Sequence, residues 1–275
     1  MLAMNPILTL GISPCPNDTF IFEGWVTGKT QADIITHNIP KILFADVQSL
    51  NEAAQRAELD VVKVSCGALP LLLNEYQVLS CGGAMGFGCG PLLLSSGLQA
   101  FDPNVETWLP GKNTTATQLF KHWCRGLLPL GVEPKIRYAF FDELYRELCL
   151  GNAKQGVVIH EHRFTFERDG LTRLCDLGEH WESTTHSPIP LGVILGRKSL
   201  GEQTLQSIEA TIQASLTWAW ARESLITPFI AEHAQETSPE VMEAHIRMFV
   251  NEFSMKIGAS GEKALKVLLQ LADNH

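Results

Sequence analysis

Three consecutive β-branched residues, Val157, Val158 and Ile159, constrain the fold of this chain more than any other stretch. The run is too short and too branched for a helix and reads as a strand buried on both faces, the environment that parallel sheets supply. Val61-Val62-Lys63-Val64-Ser65 has the same character and leads into a short helix. Around these runs lie helical spacings, with Val47, Leu50, Ala54 and Ala57 on one face, so the pattern is that of an α/β fold. The first run ends in His160-Glu161-His162-Arg163-Phe164-Thr165, a packet of ionisable groups at a strand's carboxyl end, where open α/β sheets bind ligands. A histidine there serves either proton transfer or loop hydrogen bonding, and on residue type alone Glu161 and His162 rank equally with His160. On a strand-like backbone His160 and His162 share a face and Glu161 points to the other. The spacing is not the His-Glu-x-x-His zinc pattern, and no third ligand accompanies it.

Several further stretches put polar groups at helix starts. Residues 7–13 read as a strand, Ser13-Pro14-Cys15-Pro16-Asn17-Asp18-Thr19 as a stiff turn, and 20–27 as a helix. Either Asn17 or Asp18 caps that helix, or the turn aims Ser13, Asn17 or the helix end at an anion. Lys63 inside a buried run must pair, reach the strand end or snorkel to the surface, since a lone buried ammonium is costly. Ser65 repeats the geometry of Ser13, at a strand end beside a helix start. Leu109-Pro-Gly-Lys-Asn-Thr-Thr-Ala-Thr117 opens a helix to about residue 126; it is not a phosphate-binding Walker loop, because the upstream glycine is missing and Asn113 stands where a hydroxyl is needed. Thr114 and Thr115 either hold a carboxylate at that helix end or simply cap it. The glycine-rich run 82–90 precedes a strand at 91–95 and lacks the dinucleotide spacing, so it reads as a close backbone approach or a bend between domains. Residues 34–38, 41–45, 135–140 and 191–195 read as extended and 141–149 as helix, whereas 176–190 read as largely irregular. Helices are predicted over 207–224, over 239–253 with Ser238 as cap, and over 261–273.

A formal net charge of -9 without any Lys/Arg cluster argues against a nucleic-acid partner. No apolar run reaches the roughly 18–20 residues that cross a bilayer, and residues 1–12 lack the basic start and cleavage site of a secretory signal, so a cytoplasmic location is expected. Seven cysteines, at 15, 66, 81, 89, 124, 149 and 175, form no C-x-x-C pair, which points to reduced thiols.

Ser13-Pro-Cys-Pro-Asn-Asp-Thr-Phe20, Lys63-Val64-Ser65, Gly111-Lys-Asn-Thr-Thr115 and His160-Glu-His-Arg-Phe-Thr165 together resemble the 1,4-dihydroxy-6-naphthoate synthases of the futalosine route to menaquinone. The resemblance covers essentially the whole chain, and its first and last motifs are the distinctive ones. It implies an α/β, two-lobed, type II periplasmic-binding-protein-like fold with the ligand in a cleft between lobes, one formed by 1–93 plus 196–275 and the other by 94–195, with crossing strands near 91–95 and 191–195. It implies a carbon–carbon lyase that converts cyclic dehypoxanthine futalosine to 1,4-dihydroxy-6-naphthoate, with His160 as general base and with Lys63, Val64, Ser65, Thr114 and Thr115 binding an aromatic carboxylate substrate. Ser13, Asn17 and Asp18 join that binding set. No metal or organic cofactor is implied. Phe166 stands where the family pattern has tyrosine, and Cys66 where it has an aromatic residue. Two rival readings are a solute-binding protein for a small carboxylate, which the same fold would serve but against which the missing signal peptide counts, and chorismate dehydratase of the same pathway, over which the first and last motifs favour the synthase.

Overall fold

The computed structural model describes residues 7–30, 39–235 and 238–273. The chain opens with β1 (Thr9–Ile12), α1 (Pro16–Val26), β2 (Lys41–Phe44), α2 (Val47–Gln55) and β3 (Val61–Ser65). A 3₁₀ turn at Cys66–Ala68 leads to α3 (Leu69–Leu72), β4 (Tyr76–Val78), β5 (Ala84–Gly86), β6 (Leu92–Ser95), β7 (Thr107–Leu109) and α4 (Thr115–Leu127). Then come β8 (Ile136–Tyr138), α5 (Phe141–Cys149), β9 (Gln155–Val158), a 3₁₀ turn over His160–Phe164, β10 (Thr172–Asp176), α6 (Leu177–Thr185) and β11 (Ile189–Arg197). The last part is helical: α7 (Glu202–Trp220), α8 (Pro228–His233), α9 (Pro239–Phe249), α10 (Glu252–Met255) and α11 (Gly258–Asp273). The strand expected at 34–38 lies outside the described residues. No helix among the described residues is long and apolar enough to cross a membrane.

Two compact units divide the chain. The first holds Met1–Val64, Leu71–Ala84 and Gly192–Gly258; the second holds Ser65–Pro70, Met85–Leu191 and Ala259–His275. In the first, the strand order is β2-β1-β3-β11-β4, with β1 parallel to both β2 and β3 and β11 antiparallel to β4. Its core joins Leu10 and Ile12 of β1 to Phe20, Ile21 and Trp25 of α1 and to Ile208, Ile212 and Leu216 of α7. All eleven residues of α1 are buried, so this helix carries no amphipathic stripe for a sequence to show. It also begins four residues before the expected start. Pro16 is the reason, because a proline in the first turn needs no N–H partner and its fixed φ already suits a helix.

In the second unit the order is β10-β6-β9-β7-β8, and this sheet is mixed: β9 is parallel to β7 but antiparallel to β6. The expectation of a purely parallel environment for Val157 and Val158 is therefore corrected, since burial on both faces is met here by a mixed sheet. Its core packs Leu144, Tyr145 and Leu148 of α5 against Trp108 and Val158. Residues 177–185, expected to be irregular, form α6. Asp176 caps it, its Oδ1 accepting the N–H groups of Gly178 at 2.8 Å and Glu179 at 3.1 Å. The helix expected over 239–253 breaks at Val250, where Asn251 and Ser254 form a capping box that starts α10; its cap at Ser238 is present. Within the glycine-rich run, a Cβ on Gly90 would lie 2.3 Å from Gly178 Cα, so glycine is required there by a close backbone approach.

Candidate active site

In the first unit the turn after β1 gathers three of the candidate residues around one carboxylate. Lys63 Nζ lies 2.6 Å from Asp18 Oδ1, with the two side chains 7% and 2% accessible. Asn17 Nδ2 donates to the same oxygen at 2.9 Å. Ser13 donates twice to Asp18 Oδ2, from Oγ at 2.7 Å and from its backbone N–H at 3.2 Å. Four donors thus converge on Asp18, and the lysine placed in the middle of a β-branched strand is a paired one. Its stem passes over β11 at Gly192, where a Cβ would meet Lys63 Cε at 2.9 Å. The expectation that Asn17 or Asp18 caps α1 is corrected: Cys15 is the N-cap residue, without a side-chain cap bond, and both side chains are spent on the cluster. Asn17 Oδ1 is 2.9 Å from Nε2 of His245, a fully buried histidine of α9. Reading the motifs missed His245. The signal it leaves is a histidine on the buried stripe Met242, Ile246 and Phe249 of an amphipathic helix.

The second unit brings Ser65 and Thr115 together across fifty positions. Ser65 Oγ accepts the Thr115 N–H at 2.8 Å, and Thr115 Oγ1 accepts the Gly67 N–H at 3.2 Å and donates to Pro190 O at 3.0 Å. A Cβ on Gly67 would lie 2.4 Å from the Thr114 carbonyl carbon, so only glycine lets this turn reach the head of α4. Thr114 caps α4 by accepting the Thr117 N–H at 3.2 Å. Two of the first N–H groups of α4 are therefore bonded within the chain, while its macrodipole still favours negative charge at this end. Val64 is fully buried in β3, and so is Cys66 in the turn that follows.

The motif at 160–165 leaves the sheet at once. His160 has φ +60°, a left-handed backbone that costs a residue with a Cβ about 1–2 kcal/mol, and it starts a 3₁₀ turn. This overturns the strand-like backbone expected for His160 and His162, and with it their shared face; the Glu161 side chain lies outside the described ones. The chain turns here because His162, Arg163, Thr165 and Phe166 are tied into the unit behind. The His162 ring stacks on Tyr145 at 3.6 Å between centroids with 3° between planes. Tyr145 donates its hydroxyl to Asp169 at 2.6 Å; burial first, and the carboxylate second, push the phenol's pKa up. Arg163 donates to Gly90 O and pairs with Asp176 at 3.4 Å, Thr165 is buried, and Phe166 belongs to the core. His160 is half-buried, with the edge of Phe141 5.0 Å away between ring centres. Among the described residues, no three His, Cys, Asp or Glu side chains are grouped to hold a metal.

Comparison with known proteins agrees over the whole length. A family model described as menaquinone biosynthesis matches residues 8–274. A 1,4-dihydroxy-6-naphtoate synthase of Streptomyces coelicolor is 41% identical over 269 residues, covering 96% of this chain and 92% of that protein. A protein of the same name from Thermus thermophilus is 37% identical over 97% of this chain and 94% of its own. Among solved structures, a protein of Archaeoglobus fulgidus superposes with a TM-score of 0.88 at 24% identity, covering 97% of both chains. The alkanesulfonate-binding protein of Xanthomonas axonopodis superposes at 0.69 with 13% identity, over 99% of this chain and 93% of that one. At such identities the likeness establishes the fold, which is that of the periplasmic binding proteins.

Proposed function

Because the chain belongs to the family of 1,4-dihydroxy-6-naphthoate synthases, lyases of menaquinone biosynthesis, we propose that it cleaves a carbon–carbon bond of cyclic dehypoxanthine futalosine, with His160 as general base. The observation that carries the assignment is the left-handed backbone of His160 at the carboxyl end of β9. Strain of this kind persists where surrounding structure imposes it and clusters at functional sites; Ala57 and His186 share it, but of the three His160 alone follows a strand's carboxyl end within a motif of the family. His162, by contrast, is spent on the Tyr145 stack. Imidazole suits the step, because its ordinary titration lies nearest neutrality among the side chains. Removal of a substrate proton lets the carbon–carbon bond break as the product ring becomes aromatic, so the protein supplies orientation, proton transfer and exclusion of water. In this reading the positive end of α4, with Ser65, Thr114 and Thr115, holds the substrate's carboxylate, and Ser13, Asn17, Asp18, Lys63 and Val64 are further substrate-binding residues. The seven scattered cysteines, with no C-x-x-C pair among them, suit a reducing compartment, and we place the reaction in the cytoplasm.

The test is turnover of cyclic dehypoxanthine futalosine by purified protein, followed by formation of dihydroxynaphthoate. His160→Asn is expected to lower kcat by about 10²–10⁴-fold, the usual contribution of a general base, without shifting the thermal midpoint. Full activity in His160→Ala overturns the base assignment. Binding of the naphthoate without turnover by the wild type overturns the enzyme reading in favour of a binding protein, as the alkanesulfonate-binding protein of Xanthomonas axonopodis is.

A further inference from the structure

His245 stands outside every motif of the sequence, yet it touches the head of α1. It sits on the buried stripe of α9, where an apolar side chain would pack at lower cost, since a buried polar ring must find hydrogen-bond partners. The partner is Asn17, at 2.9 Å between Nε2 and Oδ1, and the ring is set against Phe249 with centroids 4.7 Å apart. The orientation of the Asn17 amide follows from its other end. Asp18 Oδ1, paired with Lys63, is an acceptor only, so the group 2.9 Å from it must be the NH₂ of Asn17. A reversed amide would set two acceptor oxygens against one another. The Asn17 carbonyl oxygen therefore faces His245, and His245 must carry its hydrogen on Nε2.

Hydrogen donation then runs one way, from His245 to Asn17 and from Asn17 to Asp18, where the donors of Lys63 and Ser13 also end. The Ser13 hydroxyl has committed its hydrogen and can offer a ligand only lone pairs. We infer that His245 is a positioning residue for the reaction, holding the Asn17 amide, and through it the Asp18 carboxylate and Ser13, in one arrangement toward substrate. The inference rests on the reading of Ser13, Asn17 and Asp18 as substrate-binding groups.

Steady-state kinetics of His245→Leu and His245→Gln test it. Loss of a binding arrangement shared by ground state and transition state raises KM and spares kcat, so His245→Leu should raise KM about 10-fold with kcat within about 2-fold. Glutamine keeps an N–H within reach of Asn17 and should restore KM to within about 3-fold of wild type. A purely structural role would lower the thermal midpoint and the active fraction with KM unmoved. An unchanged KM in His245→Leu, or a glutamine variant as impaired as leucine, overturns the inference while turnover by the wild type leaves the proposed function standing. Nitrogen-15 NMR of the wild type supplies a readout that needs neither a folded leucine variant nor turnover: an Nε2–H tautomer is expected, and an Nδ1–H tautomer overturns the inference.

Discussion

Lys63 Nζ and Asp18 Oδ1 meet at 2.6 Å where almost no water reaches them, and donors from Ser13 and Asn17 complete the carboxylate. Desolvation of two ions roughly cancels their attraction, so the pair's presence adds little net stability, whereas removal of one member strands the other. Lys63→Met is accordingly expected to destabilise the protein by about 3–5 kcal/mol in chemical denaturation. Asp18→Asn added to it should recover part of that loss, because the residual charge disappears. Simple additivity of the two changes would show that the groups are uncoupled. The sequence already posed the question, since a lysine inside Val61–Ser65 has to be paired or expelled. It could not name Asp18, which lies 45 positions away. The same limit hid His245, 228 positions from Asn17, and left the Asn-Asp pair looking like helix caps.

At the level of elements, α4 and α6 pack in the second unit through two histidines whose rings lie 5.4 Å apart. Burial, and then the neighbouring His180 and Arg125, lower the pKa of His122 below the 6.5 of a solvated imidazole; burial lowers that of His180. A histidine with a depressed folded pKa binds more protons when unfolded. Its contribution is therefore intact above about pH 6.5 and is lost as pH falls through 6.5 toward the depressed value. The thermal midpoint should fall between about pH 7 and pH 5, and His122→Gln should flatten that slope; an unchanged slope would assign it to other groups. Which elements were legible follows from how local their causes are. The strand at 61–65, the helix at 141–149 and the caps Thr114 and Ser238 depend on residues a few positions apart, and they stand where expected. Asp176 is an equally local cap, but the weak helical preference of Gly178, Ser183, Thr184 and Thr185 concealed α6 behind it. The turn at His160 was hidden for another reason, because histidine enters the left-handed region only in a minority of cases and nothing local marks which.

Across the molecule four of the seven cysteines, Cys66, Cys81, Cys89 and Cys124, are buried. Cys81 belongs to the core of the first unit, and burial pushes its pKa to about 12. In the second unit, burial does the same to Cys89 and Cys124, both pushed up to about 12. A disulfide reagent at neutral pH should modify exposed Cys149 first, and Cys66, Cys81, Cys89 and Cys124 only on unfolding. Mass mapping of the labelled peptides checks this, and early labelling of Cys81 or Cys89 would contradict the burial. Each unit is assembled from three separate stretches of chain. By itself the sequence determined the alternation of strands and helices, the starts of α4, α5 and α9 and the motifs that mark the family, because periodicity and capping are settled by neighbours within a turn. Only the tertiary structure decided that Lys63 is bound to Asp18, that His245 orients Asn17, and that His160 leaves the strand in a left-handed turn. A buried charge, an amide rotamer and a strained backbone take their energies from partners that chain order does not bring near.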